Sequence, residues 1–204
     1  MQTTPGTSLT DDDTPAGHFA SRRTTFVWLA VAATVYALDQ ATKEWATRAL
    51  RDGLPRPLLG EWFQFRLTFN PGAAFSLGTG YTVVLTGIAL AVIVVCVKMA
   101  RRLGSTGWAV ALGLLLGGAL GNVTDRILRP PGPFRGHVVD FIELPNWPVF
   151  NVADSAICVA AAAFLVLSLR GIHLDGSRES ADRSAMPPTD RGSGPETTDD
   201  SGHS

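Results

Sequence analysis

Four apolar runs, each set off by charged or turn-forming residues, limit what this chain can fold into. They are Phe26–Leu38, Tyr81–Val97, Gly107–Thr124 and Val152–Leu169. Crossing a bilayer takes about 20 apolar residues, or fewer when polar residues occupy the ends. Tyr81–Val97 is uncharged throughout and meets this requirement most directly. Phe26–Leu38 is short but can continue helically through Asp39, Gln40 and Lys43. Asn122 interrupts the third run near its end, and Asp154 stands near the start of the fourth. A water-soluble core accommodates one such helix. Four of them between residues 26 and 169 predict a membrane bundle, because lipid offers the backbone no hydrogen-bond partners.

Whole-chain averages conceal this. A hydrophobic fraction of 46%, a formal charge of −1 and a mean hydropathy of +0.17 describe an ordinary soluble protein. They arise by mixing a greasy core, 26–169, with polar tails at 1–25 and 170–204. The tails are rich in Ser, Thr, Pro, Gly and Asp and cannot bury enough apolar surface to offset ordering entropy, so disorder is expected in both. Neither part is strongly basic, which excludes a chain-wide nucleic-acid binder and leaves no nucleic-acid partner. With two cysteines, Cys96 and Cys158, both inside apolar runs near opposite ends of the bundle, a disulfide scaffold is also excluded. The polar start, with Asp11, Asp12 and Asp13, predicts a tail and signal anchor rather than a cleavable signal peptide. Basic residues beside Phe26, Val97 and Leu169 favour an orientation with both termini inside, although basic residues are nearly balanced across the two sides.

Successive spans alternate direction. The C-terminal ends of spans one and three therefore share a side with the N-terminal ends of spans two and four. Asp39 and Lys43, then Asn122, Asp125 and Arg126, then Asp154 all fall on that side. So do the turn at Asn70 and the loop predicted to hold Asp140. Every acidic residue from 39 to 154 lies there. Ionisable groups at membrane depth are costly and usually mark function, so this end of the bundle is the expected site.

Local structure explains part of the pattern without any chemistry. Asp39 and Lys43 have the i,i+4 spacing of a simple interfacial ion pair. Gly113, Gly117 and Gly121 form two overlapping G-x-x-x-G units, a signature of close helix packing. Gly118, Asn122 and Asp125 share a helix face, which would aim Asn122 and Asp125 into the bundle. Asn151, three residues before Asp154, has the pattern of an N-cap with an acid in the first turn, where the helix dipole favours negative charge. From Trp62 to Asn70 the residues alternate, with Phe63, Phe65, Leu67 and Phe69 on one side and Trp62, Gln64, Arg66 and Thr68 on the other. This predicts a half-buried strand turning at Asn70, Pro71 and Gly72. It serves either as a platform at the lipid–water boundary or as plain packing over the bundle.

Five blocks carry a resemblance: DQATK from Asp39 to Lys43, NPGAAFS from Asn70 to Ser76, GGALGNVTDR from Gly117 to Arg126, VDF from Val139 to Phe141, and FNVADS from Phe150 to Ser155. In this order they resemble the lipoprotein signal peptidase (signal peptidase II) family, over about residues 26–169. The resemblance implies a bacterial inner-membrane aspartic peptidase. Its substrates would be prolipoproteins, cleaved just before a cysteine that already carries diacylglycerol. It implies Asp140 and Asp154 as the catalytic pair. Asp39, Lys43, Asn70, Gly72, Asn122, Asp125, Arg126 and Asn151 would shape the site or position substrate. The implied fold is an all-α integral membrane protein of four transmembrane helices, with a small extracytoplasmic β platform at the membrane surface.

Elementary chemistry agrees with that pair. Peptide hydrolysis without a metal or a nucleophilic side chain needs water polarised by one carboxylate and a second, protonated carboxyl to support the carbonyl oxygen. Two neighbouring carboxyls share a proton because both cannot ionise cheaply. Asp154, at a helix N-terminus, is the better candidate for the anion. The core holds one histidine, His137, which gives little support to a Ser-His or Cys-His triad or to a zinc site. No metal or cofactor is expected. Two other classes stay open. Asp125, Asp140 and Asp154 could hold magnesium in a lipid-headgroup transferase or phosphatase, or Asp39 or Asp154 could be the proton site of an ion-coupled transporter.

Overall fold

The structure, a computed structural model, describes residues 20–72 and 82–178. Its elements in chain order are helix α1 (Arg22–Ala49), strands β1 (Arg56–Pro57) and β2 (Gln64–Asn70), helices α2 (Thr82–Ala100) and α3 (Thr106–Leu128), strand β3 (Val138–Glu143) and helix α4 (Val152–Leu169). Each apolar run in the sequence becomes a helix. Of these, α2, α3 and α4 are long and apolar enough to cross a membrane. The 28 residues of α1 span about 42 Å at ~1.5 Å per residue, but its second half carries Asp39, Lys43, Glu44 and Arg48. Most of both tails lies outside the described residues. Of the part that composition assigns to them, Arg22–Thr25 form the first turn of α1, and Ile172 bridges to Arg178 in a turn after α4.

Helix α3 is the centre of the bundle, and α1, α2 and α4 pack around it. Its glycines let the neighbours approach. A Cβ at Gly113 would lie 2.8 Å from the Trp28 carbonyl oxygen, and one at Gly117 2.6 Å from that of Ala32. On the other side, a Cβ at Gly118 would lie 2.6 Å from the Ala153 carbonyl oxygen. These contacts also give direction: α1 runs parallel to α3, and α4 runs antiparallel. The buried stripe of α1 reads Thr24, Trp28, Ala32, Val35, Asp39, Lys43, Ala46. Steps of three and four keep it on one face. The ion pair at 39 and 43 therefore occupies buried positions of the bundle, which i,i+4 spacing alone does not show. Cys96 and Cys158 are free.

The three strands form one antiparallel sheet in the order β1-β2-β3. It packs on the C-terminal end of α1, where Trp45 meets Phe65 and Phe141 edge-on at 5.3 and 6.1 Å. Two expectations are corrected here. Asp140 lies in β3, not in a loop. Residues 138–141 are buried one after another, so the strand shows none of the alternation that would have revealed it. The alternation of β2 also fails beyond Leu67. A register shift between Phe65 and Thr68 places Phe69 outward, 51% exposed, while Thr68 and Asn70 turn inward opposite Asp140 and Val138. Bulges re-aim side chains in this way. The sheet is thus packed on the bundle through Phe65 and Phe141 and leaves Leu58, Leu59, Trp62 and Phe69 exposed.

Candidate active site

At the N-terminus of α4, Asn151 and Asp154 form a reciprocal cap. The Asp154 backbone N–H donates to Asn151 Oδ1 at 2.9 Å, and the Asn151 N–H donates to Asp154 Oδ2 at 3.3 Å. The pattern satisfies two backbone donors that the helix end leaves without partners. It also leaves the Asn151 amide nitrogen free to reach Asp140 Oδ1 at 2.7 Å. The second oxygen of Asp140 accepts from Asn70 Nδ2 at 2.8 Å. Asn70 is fixed in turn, because its Oδ1 accepts from the Gly72 N–H at 2.8 Å. Gly72 has φ +112°, and a Cβ there would lie 2.6 Å from Leu85 Cδ1, so only glycine suits the turn.

Asn122 links this pair to a second set of charges. Its Nδ2 donates to Asp154 Oδ1 at 2.8 Å, and its Oδ1 accepts from Lys43 Nζ at 3.0 Å. Lys43 Nζ lies 2.8 Å from both Asp39 Oδ2 and Asp125 Oδ2, with all three side chains buried. The remaining oxygens of those acids are also engaged. Asp39 Oδ1 accepts from the Ala153 N–H at 3.0 Å, within the first turn of α4. Asp125 Oδ1 accepts from Arg129 Nε at 2.6 Å, and its Oδ2 from the Val139 N–H at 3.2 Å. This triad therefore pins α1, α3, the start of α4 and the strand that carries Asp140.

Burial, and then the charge of Asp154, push the Asp140 carboxyl up to about 7. The hydrogen bonds from Asn70 and Asn151 and the charge of Lys43 oppose the rise. A carboxyl raised in this way keeps its proton up to about neutrality and is able to donate it. Arg126 lies in the field of both acids, and its buried Nη1 has no hydrogen-bond partner among the described residues. A cleft of about 290 Å³ opens onto Asp140, lined by Arg66, Thr68, Phe69, Asn70, Pro71, Pro148 and Val149.

All ten site residues expected from the sequence are thus gathered at one end of the bundle. Asp140, Asp154, Asn70, Asn122 and Asn151 form one hydrogen-bonded group, and Asp39, Lys43 and Asp125 form the charge triad behind it. Gly72 supports Asn70, and Arg126 stands beside the pair without a bond to it. Sequence reading missed Arg129, although its i,i+4 spacing from Asp125 was available. It also missed Pro148 and Val149, for which the sequence carries no signal.

Two carboxyls joined through an asparagine at the end of an apolar helix bundle mark the class: a helical membrane protein with a buried acidic pair at one end. The chain belongs to the signal peptidase II family, whose model matches residues 31–170. It is 52% identical over 158 residues to the lipoprotein signal peptidase of Mycobacterium avium (strain 104), covering 76% of this chain and 87% of that one. It is 47% identical over 172 residues to the lipoprotein signal peptidase of Streptomyces griseus subsp. griseus, covering 84% and 87%. Its fold matches a bacterial membrane enzyme solved by the in meso method, with a TM-score of 0.64 and 25% identity over 76% of this chain and 97% of that one. The protein is a membrane peptidase.

Proposed function

We propose that this peptidase removes signal peptides from bacterial prolipoproteins by cleaving before a diacylglyceryl-modified cysteine, with Asp140 and Asp154 as its catalytic pair. The observation that carries the reading is the bonding of both carboxyls to Asn151. In the proposed reaction, Asp154 takes a proton from water, whose oxygen attacks the scissile carbonyl carbon. Asp140 gives its proton to the carbonyl oxygen. The tetrahedral species collapses as Asp154 protonates the leaving nitrogen and Asp140 regains its proton, which restores the starting state. Burial favours the neutral form of Asp140. Asn70, Asn122 and Asn151 position the pair. Arg126, whose Nη1 has no partner among the described residues, receives a substrate carbonyl in this reading.

In this reading α1 is the fourth span. It crosses with the apolar run Phe26–Leu38 and hides Asp39 and Lys43 against α3. Both termini are cytoplasmic, the acids face outward, and the sheet rests at the membrane surface with Trp62 and Phe69 exposed, the amphipathic Trp62 ring suited to headgroups. The magnesium alternative needs Asp125 as a third ligand, yet both oxygens of Asp125 are occupied by Lys43, Arg129 and the Val139 N–H. The test is cleavage of two synthetic prolipoprotein peptides by the purified protein in the presence of a chelator, one carrying diacylglycerol on cysteine and one unmodified. Cleavage of the lipidated peptide alone is expected. Inhibition by the chelator would favour the metal reading, and equal cleavage of both peptides would remove lipid recognition from the proposal.

A further inference from the structure

A second cavity lies toward the opposite end of the bundle from Asp140. Helices α2 and α4 flank α3, and between them runs a groove of about 480 Å³. Trp108 and Leu112 of α3 form its floor, Val92, Val95 and Met99 of α2 one wall, and Phe164 of α4 the other. Apart from the Cys96 thiol, every lining side chain is apolar. The floor is fixed: the Trp108 indole stacks on Phe164 at 5.4 Å, and its Nε1 donates to the Ile172 carbonyl at 2.8 Å. From Ile88 to Met99 the groove follows α2 for about 16 Å at ~1.5 Å per residue, roughly half of a ~30 Å hydrocarbon core. It therefore runs the depth of a single leaflet.

Its end farthest from Asp140 meets a concentration of positive charge. Lys98, Arg101 and Arg102 are exposed beside Met99, and Arg22, Arg23 and Arg170 are exposed at the same end of the bundle. Asp175 is the only acidic residue there among the described residues, and it is engaged by Ser177. We infer that the groove binds an anionic phospholipid of the leaflet remote from the active site, with one acyl chain between α2 and α4 and the headgroup on Lys98, Arg101 and Arg102. A zwitterionic lipid would fill the groove equally well but gain less from three cations. The tails at 1–19 and 179–204 adjoin this end in sequence, but their Ser, Thr, Pro, Gly and acidic residues do not suit an apolar groove.

Trp108 supplies the probe. The full-length protein would be placed in phosphatidylcholine bilayers containing acyl-brominated phosphatidylglycerol or acyl-brominated phosphatidylcholine. Quenching of Trp108 is obtained by difference from Trp108→Phe. The expected result is a relative association constant at least about fivefold higher for the anionic lipid, the factor for one basic side chain engaging an anionic surface. That preference should vanish in the triple variant Lys98→Gln, Arg101→Gln, Arg102→Gln, while peptidase activity, exerted at the other end, is kept as proof of folding. Equal quenching by both lipids would overturn the inference, as would a preference that survives the triple variant. So would a Trp108 shielded from both lipids until a tail is removed or the protein is diluted, since the groove would then hold a tail or a second copy.

Discussion

Asp140 and Asp154, fourteen residues apart in sequence and on different elements, are joined by the single side chain of Asn151. The amide nitrogen of Asn151 binds Asp140 while its oxygen and backbone cap the helix that begins with Asp154. One residue therefore has two separable duties. Asn151→Ser keeps a good cap and removes the donor to Asp140. Melting temperature in detergent should change little, and cleavage should fall by at least ~10²-fold, within the range for a misplaced catalytic group. Asn151→Ala should lose both, with an additional destabilisation of about 1 kcal/mol.

The rate should depend on pH through Asp140. Its carboxyl is raised to about 7, so the proton it must donate is present below that value and absent above it. The ratio kcat/KM, which reports groups of the free enzyme, should be level on the acid side of neutrality and decline as pH rises through 7. A profile that keeps rising to pH 9 would contradict this assignment.

The same shift affects stability. A carboxyl whose folded-state value is raised favours the native state at low pH, and that contribution is lost between the unfolded value near 4 and the folded value near 7. Asp140→Asn removes the burden of an ionised group. Relative to the parent it should gain stability above pH 7 and gain none at pH 4. The upper bound on the gain is about 4 kcal/mol, reduced by whatever hydrogen bonding to Asn70 and Asn151 is lost. Thermal unfolding at the two pH values reads this out.

Lys43 holds two buried acids, Asp39 and Asp125, and leaves neither solvated. Lys43→Met should destabilise by about 3–5 kcal/mol, because it strands Asp39 and leaves Asp125 with Arg129 as its one counter-ion among the described residues. Adding Asp39→Asn and Asp125→Asn should recover part of the loss. Because Asn122 takes its orientation from Lys43, activity should not return with stability.

What the sequence revealed was local. The cap at Asn151 and Asp154 is an i,i+3 relation, Asp39 and Lys43 an i,i+4 relation, and Gly113, Gly117 and Gly121 a helical stripe. Alternation of spans brought their polar ends together without any contact being known. The bonds between distant segments were not legible. Asn70 reaches Asp140 only because β2 pairs with β3 and a bulge turns Phe69 out, and a bulge leaves no mark in a run of alternating residues. Strand β3 itself was hidden and read as a loop, since its consecutive buried residues show no alternation. The burial of the Asp39–Lys43 pair was hidden for a related reason. Spacing says that two residues meet, and only packing says how deeply.

The most direct measurement of the central claim is processing of a lipid-modified prolipoprotein by Asp140→Asn and Asp154→Asn, each reconstituted in membranes and shown to be folded. The expected result is a loss of about 10²–10⁴-fold in rate for each variant, with both proteins retaining their melting transition. Normal maturation by either folded variant would contradict the carboxyl pair as the catalytic centre.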